Sequence, residues 1–159
     1  MKIECKRLSE INKSEIIQLF NHPLVRCHMP LAKNCFNDAA YDAFIADKEQ
    51  LWTEHGYGPW AFVVDDKFAG WGGLQYEEGD ADLALVLHPA FWGMGRAIYE
   101  TIIKKAFGEM GFESITALLS PSRTRIKGLE RLGFQPDGEL LIKGERFLRY
   151  RLYSSLELF

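Results

Sequence analysis

Cysteine is scarce in this 159-residue chain: Cys5, Cys27 and Cys35 are odd in number and form no Cys-x-x-Cys pair. That excludes a disulfide framework as the main support and fits free thiols in a reducing compartment. No window approaches the roughly 18 consecutive apolar residues that a membrane helix needs. The charged start Met1-Lys2-Ile3-Glu4-Cys5-Lys6-Arg7 has no apolar signal region, so a cytoplasmic location is expected. Charge of one sign is also lacking: 19 Lys and Arg against 22 Asp and Glu leave a formal net charge of -3, which provides no basic field for nucleic acid. His22, Cys27, His28 and Cys35 have spacings that match no common zinc pattern, and no metal is expected. What the chain does have is 47% hydrophobic residues and 13% aromatics, ample for one sizeable core near the modal domain size. Residues 1–159 therefore read as a single domain.

Ile3 and Cys5 alternate as an opening strand, and Asn12-Lys13-Ser14-Glu15 has the form of a capping box before Ile16, Ile17, Leu19 and Phe20. Pro23 is expected to stop that helix and to open a loop, His22 to Pro30, whose apolar and reactive side chains suit a pocket wall. Asn37-Asp38 caps a second helix with Tyr41, Phe44, Ile45, Leu51 and Trp52 on one face and Gly56 as its stop. From Pro59 the period falls to two, giving a hairpin over Trp60–Val64 and Phe68–Tyr76; the acidic turn Glu77–Asp80 then feeds a third strand ending at Leu87. Gly70-Trp71-Gly72-Gly73 suggests a bulge or a surface that something approaches closely.

The chain is organised around Leu83 to Ala97, an apolar run followed by a turn with Gly93 and Gly95, and then a helix to Gly111. The first N–H groups of a helix have no intrahelical acceptor and carry about half a positive charge, so this turn is an anion site suited to phosphate. The two glycines would allow positive φ and close approach to the amides of Met94, Gly95, Arg96 and Ala97. Ile115–Leu119 reads as a further strand, parallel to the one ending at Leu87 because a helix connects them. A short helix bearing Ile126, Leu129 and Leu132 follows, closed by Gly133, with Gly128 suggesting close approach by a backbone or ligand. Glu139–Ile142 and Phe147–Tyr153 make a last hairpin, and the alternating Phe147–Tyr153 strand could join a second subunit's sheet in a homodimer.

This order of elements, with Gly56–Val64, Gly70–Leu74, Leu87–Ala97 and Leu129–Phe134, resembles the GNAT superfamily of acyl-CoA N-acyltransferases, and locally its RimJ/RimL-like branch. A Rossmann dinucleotide fold fits less well, since Ile98 stands where a third glycine belongs. The resemblance implies an α/β (α+β) fold: a central mixed, mostly antiparallel sheet of about six to seven strands flanked by about four helices. The family loop R/Q-x-x-G-x-G/A is matched by Trp92-Gly93-Met94-Gly95-Arg96-Ala97, with Trp92 in the R/Q slot. The resemblance implies that Leu85, Val86 and Leu87 hold the pantetheine arm of acetyl-CoA like an added strand. It further implies that Gly93, Met94, Gly95, Arg96, Ala97 and Ile98 hold the pyrophosphate, and that Ser122, in the slot of a family asparagine, also contacts the coenzyme. Leu129 occupies the slot of the family tyrosine that often protonates the departing thiolate.

The implied reaction is acetyl-CoA-dependent N-acetylation of a primary amine, on a small molecule or a protein N-terminus, by direct attack through a tetrahedral intermediate. The alternative is an inactive acyl-CoA-binding module. Amines of this kind titrate between about 8 and 10.4, so a group must accept a proton before attack. Asp82 matches the slot where the branch carries glutamate and shares a strand face with Ala84 and Val86; His28, His55 and Tyr76 are looser alternatives. An N–H of Val86 or Leu87 would meet the oxyanion, and Arg125 could stabilise the thiolate or, with Arg123 and Lys127, form a solvated face or touch the 3′-phosphate.

Overall fold

The computed structural model describes residues 2–27, 35–120 and 126–154. Seven strands form one sheet in the order β1-β2-β3-β4-β5-β7-β6, over Ile3–Lys6 (β1), Pro59–Val64 (β2), Lys67–Glu77 (β3), Asp80–Leu87 (β4), Ser114–Leu119 (β5), Gln135–Ile142 (β6) and Glu145–Tyr153 (β7). All pairs are antiparallel except β4 with β5. The helices are α1 (Lys13–Asn21), α2 (Pro23–Arg26), α3 (Asp38–His55), α4 (Gly95–Lys104) and α5 (Ile126–Arg131). The sheet is therefore the mixed, mostly antiparallel one expected.

Two apolar layers sandwich the sheet. On one face Ile98 and Ile102 of α4 and Leu129 of α5 pack with Phe62, Leu74, Leu83 and Ile115. On the other, Ile16, Leu19 and Phe20 of α1 meet Ala61 and Trp71, with Tyr41, Phe44 and Ile45 of α3 packed against them. Asn12 Oδ1 caps α1 by accepting from the Ser14 N–H at 2.9 Å. Pro23 ends α1 as expected, but the chain turns at once into α2: proline at the first helical position has no N–H to satisfy, and His22 Nδ1 accepts from the Leu24 N–H at 3.2 Å. The last residues of the expected loop, 28–30, which include His28, lie outside the described residues.

The glycines of β3 face a backbone partner. Gly70 and Gly72 have φ near +157° and +156°, and a Cβ there would lie 2.1 Å from the Val86 carbonyl oxygen and 2.2 Å from that of Ala84. The bulge falls one residue earlier than Gly70, where Ala69 is the extra residue between the pairs Phe62↔Gly70 and Val63↔Phe68. Gly93 and Gly95 depart from expectation: neither takes a positive φ. The segment Pro89–Met94 is a 3₁₀ turn, begun by His88 Nδ1 accepting from the Ala90 N–H at 3.1 Å, that runs directly into α4.

The last hairpin also corrects an expectation. β7 lies between β5 and β6, so the strand expected to reach another subunit has both edges paired, and the sheet's outer strands are β1 and β6. Arg151 of β7 fixes this arrangement: its guanidinium donates to both carboxylate oxygens of Asp80 (2.9 and 3.0 Å), to Ser114 Oγ (2.9 Å) and to Asp137 Oδ2 (2.8 Å). One planar cation thus pins β4, β5 and β6 to β7.

Because the Gly72 site has no room beside the Ala84 carbonyl, Gly72→Ala is expected to destabilise by about 2–3 kcal/mol, a fall in Tm of roughly 4–10 °C. Gly128→Ala, in a helix with open space at its Cβ, is expected to hold or gain up to about 1 kcal/mol. Thermal melts of the two variants beside the parent check both.

Candidate active site

β4 and β5 pair over two positions, Asp82↔Thr116 and Leu83↔Ala117. Beyond them β4 stays with β3 as far as Gly70↔Leu87, while β5 follows β7 through Leu119↔Leu148. The strands part, and a cavity of about 470 Å³ opens between them, the volume of a small-molecule site. Its walls are β4 from Asp82 to Val86, β5 from Ala117 to Leu119 with Ser120 just after it, the start of α4 at Gly95, Arg96 and Tyr99, and α5 at Gly128, Leu129 and Arg131 with Leu132 just after it.

The register decides which main-chain groups face the gap. The His88 N–H donates to the Ala69 carbonyl at 2.8 Å, and the Val86 and Ala84 carbonyls lie against Gly70 and Gly72 of β3. Antiparallel residues alternate, so the N–H and C=O of Leu85 and Leu87 point the other way, toward the opening. The Val86 amide is turned toward β3, which removes it as an oxyanion donor; Val86 contributes its side chain, on the face shared with Asp82. Trp92 Nε1 donates to the Leu87 carbonyl at 2.9 Å, leaving the N–H of Leu85, the C=O of Leu85 and the N–H of Leu87 along this edge.

At the outer end the N–H of Gly95 is donated to the Trp92 carbonyl, and no side chain caps α4. The N–H groups of Arg96 and Ala97 lie in the first turn of α4, the end at which the helix dipole favours an anion. A Cβ at Gly93 would meet nothing within 4 Å, so the space that φ does not explain is explained by access. Ile98, by contrast, is a fully buried core residue, and only its backbone belongs to the turn. A strand edge with outward-turned amides leading to a helix start that no side chain caps fits an extended, amide-bearing arm that ends in a phosphate. Ser122 and Arg125 lie outside the described residues.

Asp82 stands where the strands divide. It is 5% exposed, and Oδ1 accepts from Thr116 Oγ1 at 3.0 Å. Burial pushes its carboxyl up to about 8; the Thr116 bond opposes this, and the nearby charges of Glu77 and Asp80 add to it. Asp80, two residues earlier on the same face, is paired with Arg151. The strand thus holds one ion-paired carboxylate and one that is poised to exchange a proton near neutral pH. His55 and Tyr76 are brought together elsewhere: their rings stack at 4.0 Å, and neither lines the cavity. Tyr99, which sequence reasoning passed over, does line it; the signal was its place four residues after Gly95, one turn along the same helix face. Among the described residues no cluster of three or more His, Cys, Asp or Glu is placed to hold a metal, and no helix is long and apolar enough to cross a membrane.

Residues 7–135 match the family model described as the acetyltransferase (GNAT) domain. Solved structures share the fold at low identity. A GNAT-family acetyltransferase from Bacillus anthracis superposes with a TM-score of 0.74 at 13% identity, covering 96% of this chain and 95% of that one. An acetyltransferase from Agrobacterium tumefaciens gives 0.75 at 14% identity, with 96% and 91% covered. A spermidine N-acetyltransferase chimera from Vibrio cholerae and hSSAT gives 0.73 at 13% identity, with 99% of both chains covered.

The raised Asp82 carboxyl ties stability to pH. Folded, it keeps its proton up to about pH 8, whereas its ordinary value is 3.8. Its contribution is therefore full below about pH 4 and is lost as pH rises through about 8. Asp82→Asn is expected to flatten the fall in Tm between about pH 4 and pH 8. Thr116→Val, which removes a bond favouring the ionised form, is expected to carry the remaining titration to higher pH. Melts in a pH series from about 5 to 9 measure both.

Proposed function

Because the chain belongs to the GNAT acetyltransferase family, as the match over residues 7–135 shows, we propose that it is an acetyl-CoA-dependent N-acetyltransferase acting on a primary amine of a small molecule or protein N-terminus. The observation that carries this reading is the buried carboxyl of Asp82 at the point where a strand edge leaves its neighbour to line a cavity. The bound thioester supplies an acyl carbon activated toward a nucleophile. Leu85 and Leu87 offer main-chain groups to the pantetheine arm, and Val86 supports it through its side chain. The turn from Gly93 through Met94, Gly95, Arg96 and Ala97 to Ile98 receives the pyrophosphate, with Arg96 and Arg131 as cations at the cavity wall. Ser122 belongs to the same coenzyme set. The closeness of the local sequence to the RimJ/RimL-like branch and a cytoplasmic location belong to this reading as well.

Asp82 in its ionised form takes a proton from the incoming ammonium, and Thr116 orients the carboxylate. An N–H of Leu85 or Leu87 stabilises the oxyanion, a contribution of about 3 kcal/mol for one preorganised donor. A second reading, a module that binds acyl-CoA without turning it over, is favoured by one feature: Leu129, a hydrocarbon, lines the cavity where the family carries a phenol.

Calorimetric titration with acetyl-CoA, followed by thiol release assayed against amino acids, dipeptides, spermidine and aminoglycosides, separates the two. One-site binding with release in at least one amine class is expected. Asp82→Asn is expected to keep binding and to lose about 10²–10⁴-fold in kcat/KM. Binding without release from any amine selects the module, and absence of binding rejects both readings.

A further inference from the structure

Collapse of a tetrahedral intermediate breaks the C–S bond, and the sulfur leaves with the electron pair. Thiols titrate near 8.5, so the departing thiolate is stabilised by any donor aimed at it. Leu129 cannot serve: it is 5% exposed and presents hydrocarbon to the cavity. Among the described lining residues the phenol is on a different element, at Tyr99 of α4.

Its level in the cavity follows from the topology. β4 and β5 are parallel, so the helix joining them runs back antiparallel to β4. Gly95 lies beside Leu87, with a Cβ there 3.9 Å from Leu87 Cδ1. Four residues of helix advance about 6 Å, nearly two residues of strand. Tyr99 therefore comes level with Leu85, one turn inward from the anion-facing end and close to the last rung, Leu83↔Ala117. Ile98 and Ile102 are fully buried against the core, which fixes the rotation of α4 and leaves Gly95, Arg96 and Tyr99 on the cavity side. The acyl carbon must come within reach of an amine held at Asp82, so the sulfur bonded to that carbon belongs in this stretch.

We propose that Tyr99 is the proton donor to the departing sulfur. The inference rests on the acetyl-transfer reading above. As the C–S bond breaks, the phenolic proton passes to sulfur to give the free thiol, and the phenolate regains a proton, through water, from the positively charged nitrogen of the collapsing intermediate, which becomes the neutral amide; the ammonium's first proton has already gone to Asp82. Ser120 also lines the cavity, but an aliphatic hydroxyl is a far weaker acid than a phenol, which titrates near 10.

The test reads the bound thiol directly. Coenzyme A is titrated with alkali on the parent protein and on Tyr99→Phe and Ser120→Ala, following thiolate absorbance with the desulfo-coenzyme A complex as blank. Tyr99→Phe is expected to bind coenzyme A as the parent does and to raise the thiol pKa by about one unit, since a bond to the charged form is lost. With the best amine of the panel its kcat is expected to fall at least about tenfold, with KM for acetyl-CoA unchanged. An unaltered thiol pKa in Tyr99→Phe, or a shift found in Ser120→Ala instead, overturns the assignment and leaves the acetyl-transfer reading standing. Failure of the parent to bind coenzyme A overturns that reading and the assignment with it.

Discussion

A two-rung ladder governs this molecule. β4 meets β3 over eight paired positions and β5 meets β7 over six, but β4 and β5 share only Asp82↔Thr116 and Leu83↔Ala117. Each half of the sheet is continuously paired within itself, and the seam between them is too short to hold the strands together along their length. Unpaired main-chain amides inside a protein are costly, so a sheet that stops pairing must present those groups to a cavity. Here the released edge belongs to Leu85 and Leu87, and the helix that follows delivers further amides at its first turn. Both sets of donors come from one stretch of chain that folds as strand, 3₁₀ turn and helix.

The same seam decides the chemistry of the acidic residues beside it. Asp80 and Asp82 lie on one face of one strand, yet they differ in kind. Asp80 meets the Arg151 guanidinium through two bonds, whereas Asp82 is buried with the Thr116 hydroxyl as its donor. A neutral hydroxyl does not offset the loss of hydration as a cation does, so two residues of strand separate a structural ion pair from a proton-exchanging group. Under the N-acetylation proposed above, Asp82 is the group placed to accept the proton of an incoming amine.

Local signals were readable from the chain. Asn37 and Gly56 bracket α3 as their capping chemistry requires: Asn37 Oδ1 accepts from the Ala40 N–H at 2.8 Å, and Gly56 takes a φ of 75°. The change of period at Pro59 marked the meander, and strand, helix and strand in succession gave the parallel pair. Asp82 was visible as a candidate, but its isolation from the neighbouring acids was not, because Arg151 reaches Asp80 across 71 positions of sequence. The insertion of β7 between β5 and β6 was hidden for the same reason: strand alternation tells which face is buried, not which neighbour is taken. The Trp92 bond to the Leu87 carbonyl and the inward place of Tyr99 depend on how α4 is rotated against the sheet. That rotation is set by Ile98 and Ile102 packing into a core assembled from distant strands.

The glycines of β3 also give the cleft an uneven compliance. With no side chains at Gly70 and Gly72, β3 lies so close to β4 that the Val86 and Ala84 carbonyls occupy the volume where methyl groups would sit. That flank cannot recede, and β4 acts as a fixed rail. Give in the opposite flank falls to β5 and α5, where Gly128 has empty space at its side-chain position. A guest of greater girth would be met by movement on that flank alone, while the rail kept its register with Asp82.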